Sequence, residues 1–197
     1  MLRVVLTGSI ATGKSTVLAR FAELGFPTYS ADEAVHELYA GEAAALVETL
    51  FPGTVSQGVV DRKALSAAIA AEPERISELE EGIHPLVREK AIDFMDKAEA
   101  EGNRLAIVEI PLFFETGAKY SIDKAVTTYC DPQIQRQRVL ARPGMSNEKL
   151  DFILSRQLTQ DEKRARADYT IDTSGTMDDT MARTDAVIEA LRKEAAQ

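Results

Sequence analysis

Short apolar runs recur along the chain, separated by longer segments with helical periodicity. The first and third runs are apolar except for Arg3 and Glu109, a near-continuous pattern that is typical of parallel strands buried on both faces of a sheet. The fourth run is shorter and rich in threonine, and Pro111 ends the third. The predicted strands span residues 2–6, 26–29, 105–110, 125–129 and 169–171.

Helical segments fill the chain between these strands. Gly25 is suited to end the first helix, and Ser30 with Glu33 three residues later forms a capping box that would start the second. Between residues 41 and 103 the chain is alanine-rich and charged, without a convincing buried strand. The predicted helices span residues 16–24, 31–39, 42–51, 62–71, 73–81, 85–101, 132–141, 146–158, 160–165 and 176–195.

Strands that alternate with helices predict an α/β protein with a doubly wound, five-stranded parallel sheet. We expect a single domain whose core comprises residues 1–40 and 104–197, with a helical insertion at residues 41–103. In α/β enzymes such an insertion commonly builds the pocket for a second substrate.

The first strand leads into a loop with the spacing GxxxxGK[ST], and helical sequence follows it. This is a Walker A phosphate loop in its expected setting. Its two glycines permit backbone conformations that turn N–H groups toward phosphate oxygens, and the helix adds its positive N-terminus. A chance match in a glycine turn is the alternative, and the flanking strand and helix make it rarer. The predicted nucleotide-binding residues are Gly8, Ala11, Thr12, Gly13, Lys14, Ser15 and Thr16.

Two side chains of this loop have chemistry of their own. Lys14 can reach the β and γ phosphates of a triphosphate, and the Ser15 hydroxyl can ligate the Mg²⁺ that bridges them. The sequence Asn-Lys-x-Asp does not occur, so guanine recognition of the common GTPase type is unsupported. We therefore expect a nucleoside triphosphate with Mg²⁺ held through Ser15.

Composition and charge exclude several classes of protein. The 197 residues carry a net charge of −9, which argues against a nucleic-acid binder. There is one cysteine, Cys130, no apolar stretch approaches 18 residues, and the N-terminus enters a core strand directly. We therefore expect a cytoplasmic protein with no signal peptide, membrane span or membrane partner. Residues 133–166 nevertheless hold eight basic and four acidic side chains, a local charge of +4. In a polyphosphate-binding protein this favours a phosphate clamp over a solvated face.

A phosphate loop alone does not separate a kinase from an ATPase, and two features favour a kinase. Asp32 follows the second strand, where a carboxylate can orient an acceptor hydroxyl and take its proton; the alternative is a first-turn acid favoured by the helix dipole. Arg138 and Arg142 precede a Pro-Gly break and could belong to a lid at residues 136–166 that stabilises the transferring phosphoryl group. By position alone, each arginine could equally be a surface residue.

Several motifs together resemble the dephospho-coenzyme A kinase family over nearly the whole chain. The fold implied is a P-loop NTPase similar to nucleoside monophosphate kinases. The motifs are the phosphate loop at residues 6–16, Ser30-Ala31-Asp32, Asp61-Arg62-Lys63-Ala64-Leu65, His84-Pro85-Leu86, Ile110-Pro111-Leu112-Phe113-Phe114-Glu115, and the spacing of Arg138, Arg142 and Gln157.

This resemblance implies transfer of the ATP γ-phosphate to the 3′-hydroxyl of dephospho-CoA, with Mg²⁺. It makes Asp32 the catalytic base, Arg142 the principal lid arginine and Arg138 its helper. Arg62 and His84 would face the acceptor; alternatively, His84 packs and caps the helix before Pro85. The substrate-binding residues implied are Asp32, Arg62, His84 and Glu115.

Some assignments stay open at this point. Glu109 and Glu115 flank the end of the third strand, where an acid could hold Mg²⁺ through water or serve as a structural hydrogen-bond partner. Ser30 replaces the first aspartate of the family's Asp-Ala-Asp element, and Thr173-Ser174 replace its usual Asn and small residue, so adenine would be read mainly by backbone groups. A P-loop kinase for another small metabolite and a nucleotide-dependent switch are the alternative functions; the oligomeric state is not predicted.

Overall fold

The computed structural model describes residues 1–117 and 120–196. They divide into two compact units, one formed by residues 1–29 together with those from 95 onward, the other by residues 30–94. The insertion at residues 41–103 and the lid at residues 136–166 stay predictions, because compactness does not show which substrate a segment binds or whether it moves.

Strands and helices alternate along the chain. The strands are β1 (Leu2–Gly8), β2 (Thr28–Ser30), β3 (Val55–Ser56), β4 (Val59–Val60), β5 (Leu105–Glu109), β6 (Lys124–Tyr129) and β7 (Tyr169–Asp172). The helices are α1 (Lys14–Glu23), α2 (Ala31–Tyr39), α3 (Ala44–Leu50), α4 (Arg62–Ala71), α5 (Ile76–Ala100), α6 (Pro132–Leu140), α7 (Asn147–Ser155), α8 (Gln160–Arg166) and α9 (Met177–Glu194), with a 3-10 turn at Pro73–Arg75.

The first unit is built on a five-stranded parallel sheet with the order β2-β5-β1-β6-β7, which confirms the predicted doubly wound fold. β1 is the central strand, and its last residues pair Leu6 with Glu109 of β5 and Gly8 with Thr128 of β6. Val4, Val5 and Leu6 are fully buried, as expected for a strand covered on both faces. The loop that follows β1 therefore starts at the middle of the carboxyl edge of the sheet.

The core of this unit joins α1 and α9 to the sheet. Phe21 of α1 is fully buried in one cluster with Ile107 of β5, Val126 of β6 and Leu191 of α9. Each such side chain contributes about 1.5–3 kcal/mol by leaving water. This packing gives the first turn of α1 and the end of β1 a rigid support.

The prediction of two helices around Pro85 was wrong, because α5 continues through the proline from Ile76 to Ala100. A proline removes one helical hydrogen bond, which normally breaks the helix. Here Pro85 is exposed, so the carbonyl that loses its partner can be solvated. Buried Leu79, Ile83 and Val87 keep a spacing of four across it. Burial of this apolar face outweighs the local cost of the proline.

The second unit also contains a hairpin that sequence reasoning missed. β3 and β4 pair antiparallel through a turn at Gln57 and Gly58, which have φ angles of 52° and 77°. Two central residues with positive φ characterise the tight hairpin turn that usually carries Asn-Gly or Asp-Gly. Glutamine in the first position gives a weak hairpin signal, and residues 41–103 were predicted only to contain no convincing buried strand.

The capping box before α2 is confirmed. The Ser30 hydroxyl accepts the Glu33 N–H at 3.1 Å, and the Glu33 carboxylate accepts the Ser30 N–H at 2.8 Å. Ser30 thus has a structural role in this chain at the position where the resemblance leads one to expect an aspartate. Among the described residues, no helix is both long and apolar enough to cross a membrane.

Candidate active site

The loop after β1 has the backbone of a phosphate cradle. Gly8 and Gly13 have φ angles of 146° and 88°, and Gly13 is the N-cap of α1. Ala11 also lies in the left-handed region, at φ 58°, although it has a Cβ. Such conformations cost roughly 1–3 kcal/mol and concentrate at functional sites. The N-terminus of α1 faces the same loop and favours an anion there.

Hydrogen bonds inside the loop hold this conformation. The buried Thr12 hydroxyl donates to the Ser9 carbonyl at 2.8 Å and lies 2.7 Å from the Thr128 hydroxyl of β6. A Cβ on Gly8 would come within 2.8 Å of the Thr128 carbonyl oxygen. The Thr12 side chain therefore supports the loop from the side of β6. At this residue only the backbone N–H is available to a phosphate.

The outer side of the loop is attached to helices α6 and α7 and to the residues after α7. Ala11 packs in a small apolar cluster with Val139 of α6 and Leu150 of α7. The Ile10 N–H donates to Gln157 at 3.2 Å, and the Ile10 carbonyl accepts from buried Gln135 at 2.8 Å. These contacts attach the predicted lid segment to the phosphate loop at several points.

Lys14, Ser15 and Thr16 form the first turn of α1. The Lys14 ammonium donates to the Ser9 carbonyl at 3.2 Å and lies 3.9 Å from a carboxylate oxygen of Glu109, which is largely buried at the end of β5. Ser15 is exposed, and its hydroxyl makes no hydrogen bond to the residues that the structure describes. The lysine is thus held over the loop, and the serine hydroxyl faces solvent.

Arg138 and Thr173 connect α6 to the turn after β7. The Arg138 guanidinium donates to the Thr173 hydroxyl at 3.0 Å and to its carbonyl at 2.7 Å. The same hydroxyl donates to the Thr12 carbonyl at 3.0 Å, and the Thr173 methyl group would lie 3.2 Å from a Cβ on Gly13. Thr173 therefore joins the phosphate loop, β7 and α6.

Ser174 and Asp172, which flank Thr173, also form hydrogen bonds within the protein. Ser174 donates to the Asp172 carboxylate through its hydroxyl at 2.6 Å and its N–H at 2.9 Å. Burial alone would raise the pKa of Asp172, but these hydrogen bonds and Arg183 outweigh it and lower that pKa. The side chains of Thr173 and Ser174 are therefore occupied by structural contacts.

These elements surround a cavity of about 340 Å³. One wall is the phosphate loop and the first turn of α1, including Lys14 and Ser15, and Arg138 and Arg142 line another. The guanidinium of Arg142 is exposed and has no ion pair among the described residues. The structure thus brings five of the predicted nucleotide-binding residues to one cavity with both predicted lid arginines. They are Ala11, Gly13, Lys14, Ser15 and Thr16.

Glu115 lies apart from the residues that line this cavity and has structural partners. One of its carboxylate oxygens accepts the Leu158 N–H at 3.0 Å and pairs with the Lys163 ammonium at 2.8 Å. Its other oxygen is buried without a hydrogen bond among the described residues. Burial lowers the pKa of Lys163, and the Glu115 carboxylate opposes this shift. Glu115 is thus a structural hydrogen-bond partner, which was one of the two alternatives, and a role toward substrate stays a prediction.

Asp32, Arg62 and His84 belong to the second unit and are all exposed. Asp32 lies in the first turn of α2, and Arg62 begins α4 after its N-cap Asp61. His84 lies inside the continuous helix α5, so the alternative that it packs and caps a helix end was wrong. Their roles toward an acceptor stay predictions.

Sequence reasoning missed Gln135, Gln160 and the anchoring role of Thr173. Gln160 donates to the Gln135 side chain at 3.0 Å and accepts the Cys130 N–H at 2.8 Å, which extends the support of the loop to α8. The apolar residues of α6, Ile134, Val139 and Leu140, do not share one side of the helix, so a buried glutamine in it has little signature. The available signal was that Gln135 lies four residues before the buried Val139, on the same side of the helix.

The donor set fits Mg²⁺ bound mainly through a nucleotide. The described residues contain no cluster of three or more carboxylate, histidine or cysteine side chains that could hold a metal alone. Mg²⁺ commonly keeps several waters and binds through one or two protein ligands plus substrate phosphates. The exposed Ser15 hydroxyl beside the phosphate cradle provides one such ligand.

Comparison with known proteins extends the similarity beyond this loop. A model of the dephospho-CoA kinase family matches residues 2–179. The dephospho-CoA kinase of Rhizobium meliloti is 50% identical over 192 residues, which cover 98% of this chain and 99% of that protein. That of Brucella melitensis is 52% identical over 186 residues, which cover 94% and 93%. Among solved structures, the dephospho-CoA kinase from Campylobacter jejuni matches with a TM-score of 0.75 at 30% identity and 98% coverage of both chains.

Proposed function

Because the chain belongs to the dephospho-CoA kinase family, we propose that it transfers the γ-phosphate of ATP to the 3′-hydroxyl of dephospho-CoA. The products are CoA and ADP, and the reaction is the last step of coenzyme A synthesis. The observation that carries the proposal is the cavity in which Lys14, Arg138 and Arg142 line the same space as the phosphate loop. Three cationic side chains beside an amide cradle suit a polyphosphate whose terminal group is to be transferred.

The phosphate loop binds and orients the ATP phosphates through its backbone N–H groups. Lys14 neutralises charge on the β and γ phosphates, and Arg142 stabilises charge on the phosphoryl group during transfer. Arg138 keeps the cavity wall in place through Thr173 and has further N–H donors for the phosphates. Mg²⁺, when bound through Ser15 and the phosphates, supplies further charge neutralisation.

Asp32 accepts the proton of the acceptor hydroxyl. The hydroxyl oxygen of the acceptor forms a bond to the γ-phosphorus while the bond between that phosphorus and the bridging oxygen of ADP breaks. The exposure of Asp32 is compatible with this role, since a general base must meet its substrate. Arg62 and His84, both exposed charged or polar side chains of the same compact unit, contact the acceptor. Adenine is read mainly by backbone groups, because Thr173 and Ser174 use their side chains in the protein.

A panel of acceptors tests this function. The purified chain is mixed with ATP and Mg²⁺ and with dephospho-CoA, CMP, AMP, gluconate or no acceptor, and the products are identified by mass and by ³¹P NMR. We expect the product to be CoA, which is dephospho-CoA with a new phosphate at the 3′ position. Phosphate on CMP, AMP or gluconate but not on dephospho-CoA would favour another small-molecule kinase. Slow ATP hydrolysis that no acceptor accelerates would favour a nucleotide-dependent switch.

A further inference from the structure

Lys163 is buried in α8, with its side chain 1% exposed, and it holds both ends of the segment that follows β5. Its ammonium donates to the Pro111 carbonyl at 2.9 Å and pairs with Glu115 at 2.8 Å. An ammonium carries three donors and loses much hydration on burial, so such a site is kept only where partners compensate it. Lys163 therefore fastens this segment to α8.

The segment from Pro111 to Glu115 is joined to the phosphate loop from two directions. The Thr7 hydroxyl, one residue before the loop, donates to the Pro111 carbonyl at 3.1 Å. From the other direction, Gln157 accepts the Ile10 N–H, and the next residue, Leu158, donates its N–H to Glu115. The contacts close into a ring that runs through Thr7, Ile10, Gln157, Leu158, Glu115, Lys163 and Pro111.

We infer that Lys163 is a positioning residue that ties both ends of this segment to α8 across the ring and so holds the segment after β5 in register with the phosphate loop. The inference rests on the proposed function, because the segment starts at the carboxyl end of β5, directly beside the end of β1. Ligands of open α/β sheets bind outside the carboxyl ends of the strands, so an acceptor of the γ-phosphate would lie along this edge. Lys163 acts through Glu115 and Pro111 rather than by touching a substrate.

The register of a reacting pair matters more to turnover than to the binding of one partner. Misplacement by about 1 Å from a distant change can cost on the order of a hundredfold in rate. The ATP cavity is lined by other residues, so a substitution of Lys163 removes none of the side chains that line it. Loss of Lys163 should therefore separate phosphoryl transfer from ATP binding.

The test compares Lys163→Met with Lys163→Arg in the full chain, with Lys124→Met as a matched control. Lys124 also pairs with carboxylates, Asp168 and Glu194, but it lies outside the ring. For Lys163→Met we expect kcat for acceptor phosphorylation to fall about tenfold or more. KM for ATP should change less than about threefold, and hydrolysis without acceptor should persist. Lys163→Arg should restore most of the transfer rate, and Lys124→Met should keep it.

Thermal unfolding and the folded fraction are measured for every variant. If Lys163→Met does not fold, Lys163→Met/Glu115→Gln removes the unpaired buried charge while both lysine contacts stay absent, and the same low transfer rate is expected. A lower unfolding temperature with unchanged kcat per folded molecule would show a merely structural lysine and overturn the inference. An equal fall in transfer and hydrolysis would place the damage in the phosphate loop and overturn it as well. Failure of the unaltered chain to phosphorylate dephospho-CoA would count against the proposed function instead. The inference about Lys163 predicts a lower ratio of phosphoryl transfer to hydrolysis, which can be measured with any acceptor that the chain phosphorylates.

Discussion

The Arg138 guanidinium holds Thr173 by two hydrogen bonds, to its hydroxyl at 3.0 Å and its carbonyl at 2.7 Å. Thr173 in turn donates to the Thr12 carbonyl of the phosphate loop. Arg142, four residues later on α6's C-terminal side, lines the same cavity without such an anchor. The two arginines therefore have different structural roles although both face the proposed nucleotide site.

We predict that Arg138→Met lowers the free energy of unfolding by about 1–3 kcal/mol, because hydrogen bonds from a charged group are lost. Arg142→Met should change that free energy by less than about 0.5 kcal/mol, since its side chain is exposed. Both variants should lower kcat. Urea denaturation and steady-state kinetics measure the two effects. Equal stability loss in both variants would contradict the anchoring role of Arg138.

Gly8→Ala should destabilise the protein by more than about 2 kcal/mol, because overpacking adds to backbone strain at positive φ. The new Cβ would lie within 2.8 Å of the Thr128 carbonyl oxygen, which β6 holds in place. Gly25→Ala is the control, since Gly25 has φ 82° but no atom within 4 Å of a new Cβ. It should cost about 1 kcal/mol from strain alone. Denaturation curves of similar midpoint for both variants would refute the steric argument.

Asp32→Asn should keep ATP affinity yet reduce turnover by about a hundredfold or more, the scale of removing a general base. Calorimetric titration with a nonhydrolysable ATP analogue measures affinity, and a coupled assay measures kcat. Asp93→Asn removes the same charge from an exposed position of α5 in the same compact unit and should have little effect. Near-normal turnover of Asp32→Asn would remove Asp32 from its proposed role.

Lys14→Ala should weaken both nucleotide binding and turnover, because Lys14 sits over the phosphate loop and lines its cavity. We expect kcat to fall by about a hundredfold or more, as when a preorganised electrostatic partner of a transition state is removed. The control is Lys97→Ala, which removes an exposed lysine from α5. ATP affinity equal to that of the control would mean that Lys14 contributes nothing to the binding of ATP before phosphoryl transfer.

The link between α6 and α7 should be protected from proteolysis by Mg²⁺ and a nonhydrolysable ATP analogue. Val139 and Leu150 are anchored against Ala11, but the link at residues 142–144 is exposed. Thermolysin can cut before Met145, and cutting before the exposed Val59 of the β3–β4 hairpin provides an internal reference. A ratio of the two cleavage rates that the analogue leaves unchanged would argue against a closing lid.

The elements that the sequence predicted best depend on local rules. Residues 2–6 were predicted as a buried strand from apolar content, and α2 was predicted from its capping box with the bounds that the structure has. By contrast, α5 continues through Pro85 because its apolar face is buried, and the hairpin at Gln57 and Gly58 uses a turn with an uncommon first residue. The first miss arose where packing outweighed a local preference, and the second arose where the local turn signal was weak.

The sequence by itself determined the sheet class, the phosphate loop and the family, because apolar periodicity, glycine spacing and collinear motifs are properties of neighbouring residues. Only the tertiary structure decided what the loop rests on and which side chains support it. Arg138 with Thr173 and Lys163 with Glu115 are joined by hydrogen bonds across 35 and 48 residues of chain. Many of these contacts end on backbone carbonyls or N–H groups, which every residue type carries, so they leave no signature in the sequence.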